Sequence, residues 1–174
     1  MDIGHVLWVL VISAAPIGEL RAGIPLGIKE YDLSWAVVVP VALAGNLVIV
    51  PFLLLFLERG LRFAYSLRLF NGILDWIFEH SRKRAAMVEK YHSIGLFLLV
   101  AIPLPGTGAW TGSLVASLLH LEPRRSLPPI VAGVLAAAAI VSVLTALGWV
   151  GAAIAVACVL LVVGIRVYGL RKHD

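Results

Sequence analysis

The sequence predicts an all-α polytopic membrane protein. Each half of an inverted repeat is a re-entrant hairpin followed by a transmembrane helix. An interfacial amphipathic linker joins the halves, and a further transmembrane helix ends the chain. Three observations lead there. Of 174 residues, 61% are hydrophobic and only 14% are charged, with a mean hydropathy of +1.00, more apolar surface than a soluble domain of this size can hide. Several uncharged runs are long enough to cross a bilayer. Two other apolar runs are interrupted by dense proline and glycine, where an ordinary span would be continuous.

The elements follow in order. Ile3–Ala15 is 13 apolar residues, too few for a hydrocarbon core that needs about 20. It ends in Ser13-Ala14-Ala15, faintly like a cleavage site, but no basic stretch precedes it and Pro16 follows, so the segment is expected to stay in the mature protein. Next come Pro16, Gly18, Glu19, Arg21, Gly23, Pro25 and Gly27. Residues at that density break helices, so Pro16, Gly23 and Pro25 are expected at the first hairpin's turn. Ser34–Leu57 then runs 24 residues without a charge and reads as a span, kinked at Pro40 and Pro51.

The stretch 59–92 reads as a cytoplasmic amphipathic linker: Arg68, Asp75, Glu79 and Arg82 share one side of a helical wheel. Ile94–Ile102 is a second short apolar run, broken by Pro103, Pro105, Gly106, Gly108 and Gly112. Here Pro103, Pro105 and Gly112 are the expected turn residues. Leu127–Leu147 and Gly148–Ile165 read as two spans meeting at Gly148. The whole chain, 1–174, is thus expected to be a single membrane domain: first repeat 1–58, linker 59–92, second repeat 93–147, last span and basic tail 148–174.

Charge chooses the topology. If the second broken segment turns back on its own side, Arg59, Arg62, Arg68, Arg82, Lys83, Arg84, Lys90, Arg124, Arg125, Arg166, Arg171 and Lys172 share one face, twelve of the 14 basic residues. The positive-inside rule prefers this to a full crossing, and makes the linker and C-terminus cytoplasmic. Proline and glycine spacing extends the pattern to the first half. Pro16, Gly23, Pro40 and Gly45 are echoed by Pro105, Gly112, Pro128 and Gly133. The halves start on opposite faces, as in transporters built from inverted repeats.

Glu19 is the only acid within an expected membrane segment, and Arg21 the only base well inside one. An ionised group at the bilayer centre costs roughly 2.5–3.5 kcal/mol on insertion scales, so such residues are paired or functional. On an extended or broken backbone the two side chains share a face. Arg21 is the candidate for an anionic substrate group, and Glu19 for substrate contact and proton coupling. The alternative is a structural ion pair. In the second half Gly106, Thr107, Gly108, Trp110 and Thr111 offer backbone N–H groups, two hydroxyls and an indole. A half-helix starting there would aim its positive end at an anion. Asn46, mid-span, is a further candidate contact, or else an interhelical hydrogen bond.

The composition and pattern also set aside several functions. Basic residues border apolar runs, which argues against nucleic acid. The histidines are scattered and the one cysteine, Cys158, lies in an apolar run, so neither a metal nor a cofactor is expected. No nucleophile is spaced with a base, so an enzyme is not expected.

The segments Pro16-Ile-Gly-Glu-Leu-Arg-Ala-Gly-Ile-Pro-Leu-Gly27 and Ile102-Pro-Leu-Pro-Gly-Thr-Gly-Ala-Trp-Thr-Gly112 resemble those of the putative small multidrug export protein family. That family is similar to the DedA-like (VTT-domain) superfamily, whose members have two opposed re-entrant hairpins. Several members are implicated in proton-dependent movement of polyprenyl phosphate or other phospholipids. The resemblance implies that Glu19 is the acid of the first hairpin and Pro105-Gly106 the turn of the second. One departure stands out. DedA proteins carry arginines in the second hairpin, where this chain has Trp110 and Thr111.

The expected function is therefore a transporter or flippase for an amphiphilic anion, most concretely a polyprenyl phosphate or related lipid phosphate, with proton coupling through Glu19. Export of small amphipathic drugs is the first alternative, and a structural or assembly protein without transport the second. The expected setting is a prokaryotic plasma membrane. The expected partners are membrane lipids, the amphiphilic anionic or drug-like substrate, and a second copy of the chain in a homodimer.

Overall fold

The computed structural model describes residues 2–66, 93–104 and 106–171; within 57–66, 162–163 and 165–171 only the backbone is described. Most of the expected linker, with Arg68, Asp75, Glu79 and Arg82, and the turn residue Pro105 lie outside the described residues. The described residues form helices joined by short turns, with no strand among them.

Helix α1, Ile3–Ala14, opens on Asp2, whose carboxylate accepts the Gly4 N–H at 2.9 Å, the usual way to satisfy a free amide at a helix start. At 12 residues it rises about 18 Å, short of a bilayer core. The chain turns through Ala15–Gly18 and restarts as α2, Glu19–Lys29. Gly18 has φ of 107° and Glu19 of 51°, which is how the chain reverses within four residues.

The two helices pack antiparallel. A side chain at Gly23 would strike Ser13, and one at Gly27 would meet Val9 and Val38. At the open end the His5 and Tyr31 rings stack 4.5 Å apart. This corrects the expectation for Gly23 and Pro25, which lie inside α2 rather than at the turn. Gly23 is needed for close approach rather than for a break, and the turn itself belongs to Pro16 and Gly18.

Helix α3, Trp35–Ser66, continues nine residues past the expected end at Leu57. Only Gly60 interrupts good helix formers there, at a cost of about 1 kcal/mol, too little to stop a helix already under way. Residues 93–101 form α4, which stops before Pro103, as the residue preceding a proline avoids helical geometry. Gly106 at φ 73° and Gly108 at φ 135° carry the next turn. Helix α5 is Ala109–Leu118. Gly112 falls inside it, pressed against Val100, so it too serves packing and not the turn. Helix α6, Pro123–Ala146, starts on a proline, where a missing N–H is harmless. Gly148 at φ 57° turns the chain into α7, Trp149–Arg171.

The core lies where α1 to α6 meet, and its fully buried members include Val9, Ile24, Val38, Leu96, Val100, Val115 and Ile130. The outside is also apolar: Leu7, Trp8, Val48, Phe52, Leu55, Val143 and Trp149 are exposed. Trp35–Phe56 and Pro123–Ala146 are long and apolar enough to cross a membrane, and only 39% and 33% of their most apolar windows are buried. A core helix of a soluble protein would be mostly covered. An outer apolar surface of this extent calls for lipid around it.

Candidate functional site

The site is formed where the turn between α1 and α2 meets the turn between α4 and α5. Glu19, the first residue of α2, is 6% exposed. Its carboxylate accepts the backbone N–H of Ala109 at 3.3 Å and of Trp110 at 3.1 Å. These are the first two residues of α5, whose N-cap, Gly108, has no side chain to offer them. The first amides of a helix lack partners within it and sit at its positive end. Glu19 satisfies them from 90 residues away. Gly108 must be glycine for this: a Cβ there would fall on the carboxylate, 2.6 Å from Oε1 and closer to Oε2.

Arg21 does the converse at the end of α4. Its guanidinium donates to the carbonyl of Leu104, to Thr107 Oγ1 at 3.1 Å, and at longer range to the carbonyls of Ile102 (3.4 Å) and Val100 (3.5 Å). The last carbonyls of a helix are its negative end, and a cation is favoured there. Thr107 ties the turn together, sharing its one hydroxyl proton between the carbonyls of Ile102 at 2.7 Å and Leu104 at 2.8 Å. Thr111 Oγ1 donates to the Gly106 carbonyl at 2.9 Å. The Trp110 indole N–H returns to the first turn, donating to the Ala14 carbonyl at 3.0 Å.

The expected extended backbone at Glu19 and Arg21 is not found. Both belong to helix α2, where residues two apart point to different sides, and they reach different helix ends. The structure brings Glu19, Arg21, Gly106, Thr107 and Thr111 to one open cavity of about 550 Å3. Gly108, Trp110 and Asn46 are not in its walls. Asn46 is fully buried, facing Glu19 but outside ordinary hydrogen-bond geometry. The turn residues Pro16 and Pro103 also line the cavity, and Val159 closes it from α7; nothing in the apolar pattern of α7 marks that residue beforehand. Arg124 and Arg125 stay away from it, Arg125 pairing with Glu122 at 3.0 Å on the exposed start of α6.

Chemically the cavity joins a carboxylate, a guanidinium and two hydroxyls to apolar walls. Among the described residues no three His, Cys, Asp or Glu side chains gather as metal ligands would.

The family model described as "Putative small multi-drug export protein" matches residues 19–140. No curated protein and no solved structure matches the chain. The matched stretch begins at Glu19, takes in both halves of the cavity's polar wall, and covers well over half of the sequence. The chain belongs to the putative small multi-drug export protein family.

Proposed function

We propose that this protein carries an amphiphilic anion across the membrane, most concretely a polyprenyl phosphate or related lipid phosphate, with a proton moving through Glu19. The observation that supports this most directly is the Glu19 carboxylate resting on the N-terminus of α5 at the wall of an open cavity. A helix N-terminus is suited to an anion such as phosphate. In this protein its occupant is a side chain that can be neutralised. When Glu19 takes up a proton, it gives up its charge on the amides of Ala109 and Trp110. A substrate anion then replaces it there, beside Arg21 and Thr111. When Glu19 loses the proton, it returns to those amides and expels the anion. Proton and anion are thus bound together and released together at one place.

The same reading takes the two broken segments as re-entrant hairpins from opposite leaflets, related as an inverted repeat, with the basic linker and tail cytoplasmic. Meeting turns are what opposed hairpins require, and the resemblance to DedA-like proteins points the same way. A homodimer in a prokaryotic plasma membrane completes the picture.

Two other readings have an observation each. The family's description speaks of multi-drug export, which favours small amphipathic drugs as cargo. The full use of Glu19 and Arg21 as helix caps favours a structural role without transport. Purified protein in phosphatidylcholine vesicles separates the three. A proton gradient should speed passage of polyprenyl phosphate between leaflets, and Glu19→Gln should abolish the dependence on the gradient. Movement of lipophilic drugs alone would select the exporter reading. No movement of either, with Glu19→Gln and Arg21→Ala lowering only stability, would select the structural one.

A further inference from the structure

A second, smaller space of about 210 Å3 lies between α2, α6 and α7. Its walls are mostly apolar, with Pro25, Val141, Leu144 and Ala155 among them, and no carboxylate lines it among the described residues. Two cations do, Arg21 and Lys29. It shares Arg21 and Pro103 with the larger cavity, so the two spaces are neighbours across those residues. Residues 21, 25 and 29 fall at i, i+4 and i+8 on α2, one face of the helix. The cleft therefore follows α2 for about two turns, roughly 12 Å. Arg21 stands at its inner end, half-buried, and Lys29 at its outer end, exposed. Lys29 also sits in the last turn of α2, where any cation suits the helix dipole. That role does not require it to border an apolar cleft whose other end is a second cation.

The geometry points to this cleft as the lateral path by which an amphiphilic anion reaches the cavity: Lys29 takes the anionic group first, Arg21 receives it two turns along, and the walls from α6 and α7 hold its hydrocarbon chain. The inference rests on the amphiphilic-anion reading and adds to it a route, a first cation and a preference for long-chain cargo. An anion leaving the headgroup region loses hydration, and two cations spaced along the way divide that cost into shorter steps.

The test uses two phosphates and the full-length protein. Dodecyl phosphate is supplied in phosphatidylcholine vesicles, and phenyl phosphate in solution. Lys29→Gln should raise the half-saturating concentration of dodecyl phosphate about fivefold, the usual worth of one lysine near an anionic headgroup. Lys29→Arg should restore it, with the melting temperature unchanged in both. Ala152→Trp, which fills the cleft from α7, should weaken dodecyl phosphate binding and spare phenyl phosphate. If that substitution lowers the melting temperature, Ala155→Leu takes its place. Wild-type binding of dodecyl phosphate that none of these changes alters would overturn the path and leave the cavity reading standing. Equal loss of both phosphates in the filled-cleft variant would overturn it too. Failure of the wild-type protein to bind either phosphate would overturn path and cavity reading together.

Discussion

The Glu19 carboxylate accepts the N–H of Trp110 at 3.1 Å, and the Trp110 indole donates to the Ala14 carbonyl at 3.0 Å. The two broken segments are thus stitched in both directions, each turn supplying what the other lacks.

Glu19→Gln keeps the shape of the side chain and one acceptor oxygen but removes the charge at the start of α5. We expect a loss of about 1–2 kcal/mol, between a partly buried helix-dipole interaction and a charge-assisted hydrogen bond. Glu19→Leu, which leaves both amides without an acceptor, should cost more. Thermal melting in detergent gives the order; equal melting of all three proteins would remove Glu19 as a cap.

Arg21→Lys should behave almost like Arg21→Ala. One ammonium cannot span the Leu104 carbonyl, Thr107 Oγ1 and the carbonyls of Val100 and Ile102 that the planar fork reaches. A loss of about 2–3 kcal/mol is expected for either. Lysine restoring wild-type melting would show that charge alone matters there.

Gly108→Ala meets two obstacles at once. At φ 135° a side chain is strained by about 1–3 kcal/mol, and its Cβ would displace the Glu19 carboxylate. We expect a melting temperature lower than that of Glu19→Gln, and little further loss when the two changes are combined. Simple additivity in that double-mutant cycle would mean that Gly108 and Glu19 do not act through one contact.

Trp110→Phe removes the bond to Ala14 and keeps an aromatic ring. It should cost about 1 kcal/mol and leave anion binding intact, because the proposed anion site uses the backbone amide of residue 110, which phenylalanine keeps. A large loss of phosphate binding would place the indole in the site after all.

The re-entrant topology is open to a labelling experiment. Cys158 is exposed and is first changed to serine. Cysteines placed singly through 14–27 and 103–113 are then expected to react with impermeant reagents from opposite sides of the membrane. Reaction from one side only would end the inverted-repeat reading.

Much of the fold was legible because its determinants are local. Proline and glycine announce where α1 and α4 stop, and uncharged runs announce α3 and α6. Gly23, Pro25 and Gly112 were misleading for a physical reason: glycine permits close helix contact as readily as it permits turns, and composition alone does not distinguish the two uses. Pro25 in turn is accommodated within α2 at the cost of one helix hydrogen bond, the one its missing N–H would give to the Arg21 carbonyl. The importance of Glu19 and Arg21 was legible as charge in an apolar setting. Their partners were not. Leu104 lies 83 residues from Arg21 and Trp110 lies 91 from Glu19, and no local periodicity encodes a contact at that range. Lys29 was passed over for the opposite reason. An exposed lysine at a helix end is common, and only the cleft beside it makes it stand out.

The distance along the chain between Glu19 and its partners has a consequence for how the protein is made. The 90 residues that separate Glu19 from Ala109 take roughly 5–18 s to synthesise at ordinary rates. For that time the first half must wait beside the ribosome and the insertion machinery with a carboxylate and a guanidinium that have not met their helix ends. The first turn therefore gains its partners only when the second arrives, and the order of translation becomes an order of assembly.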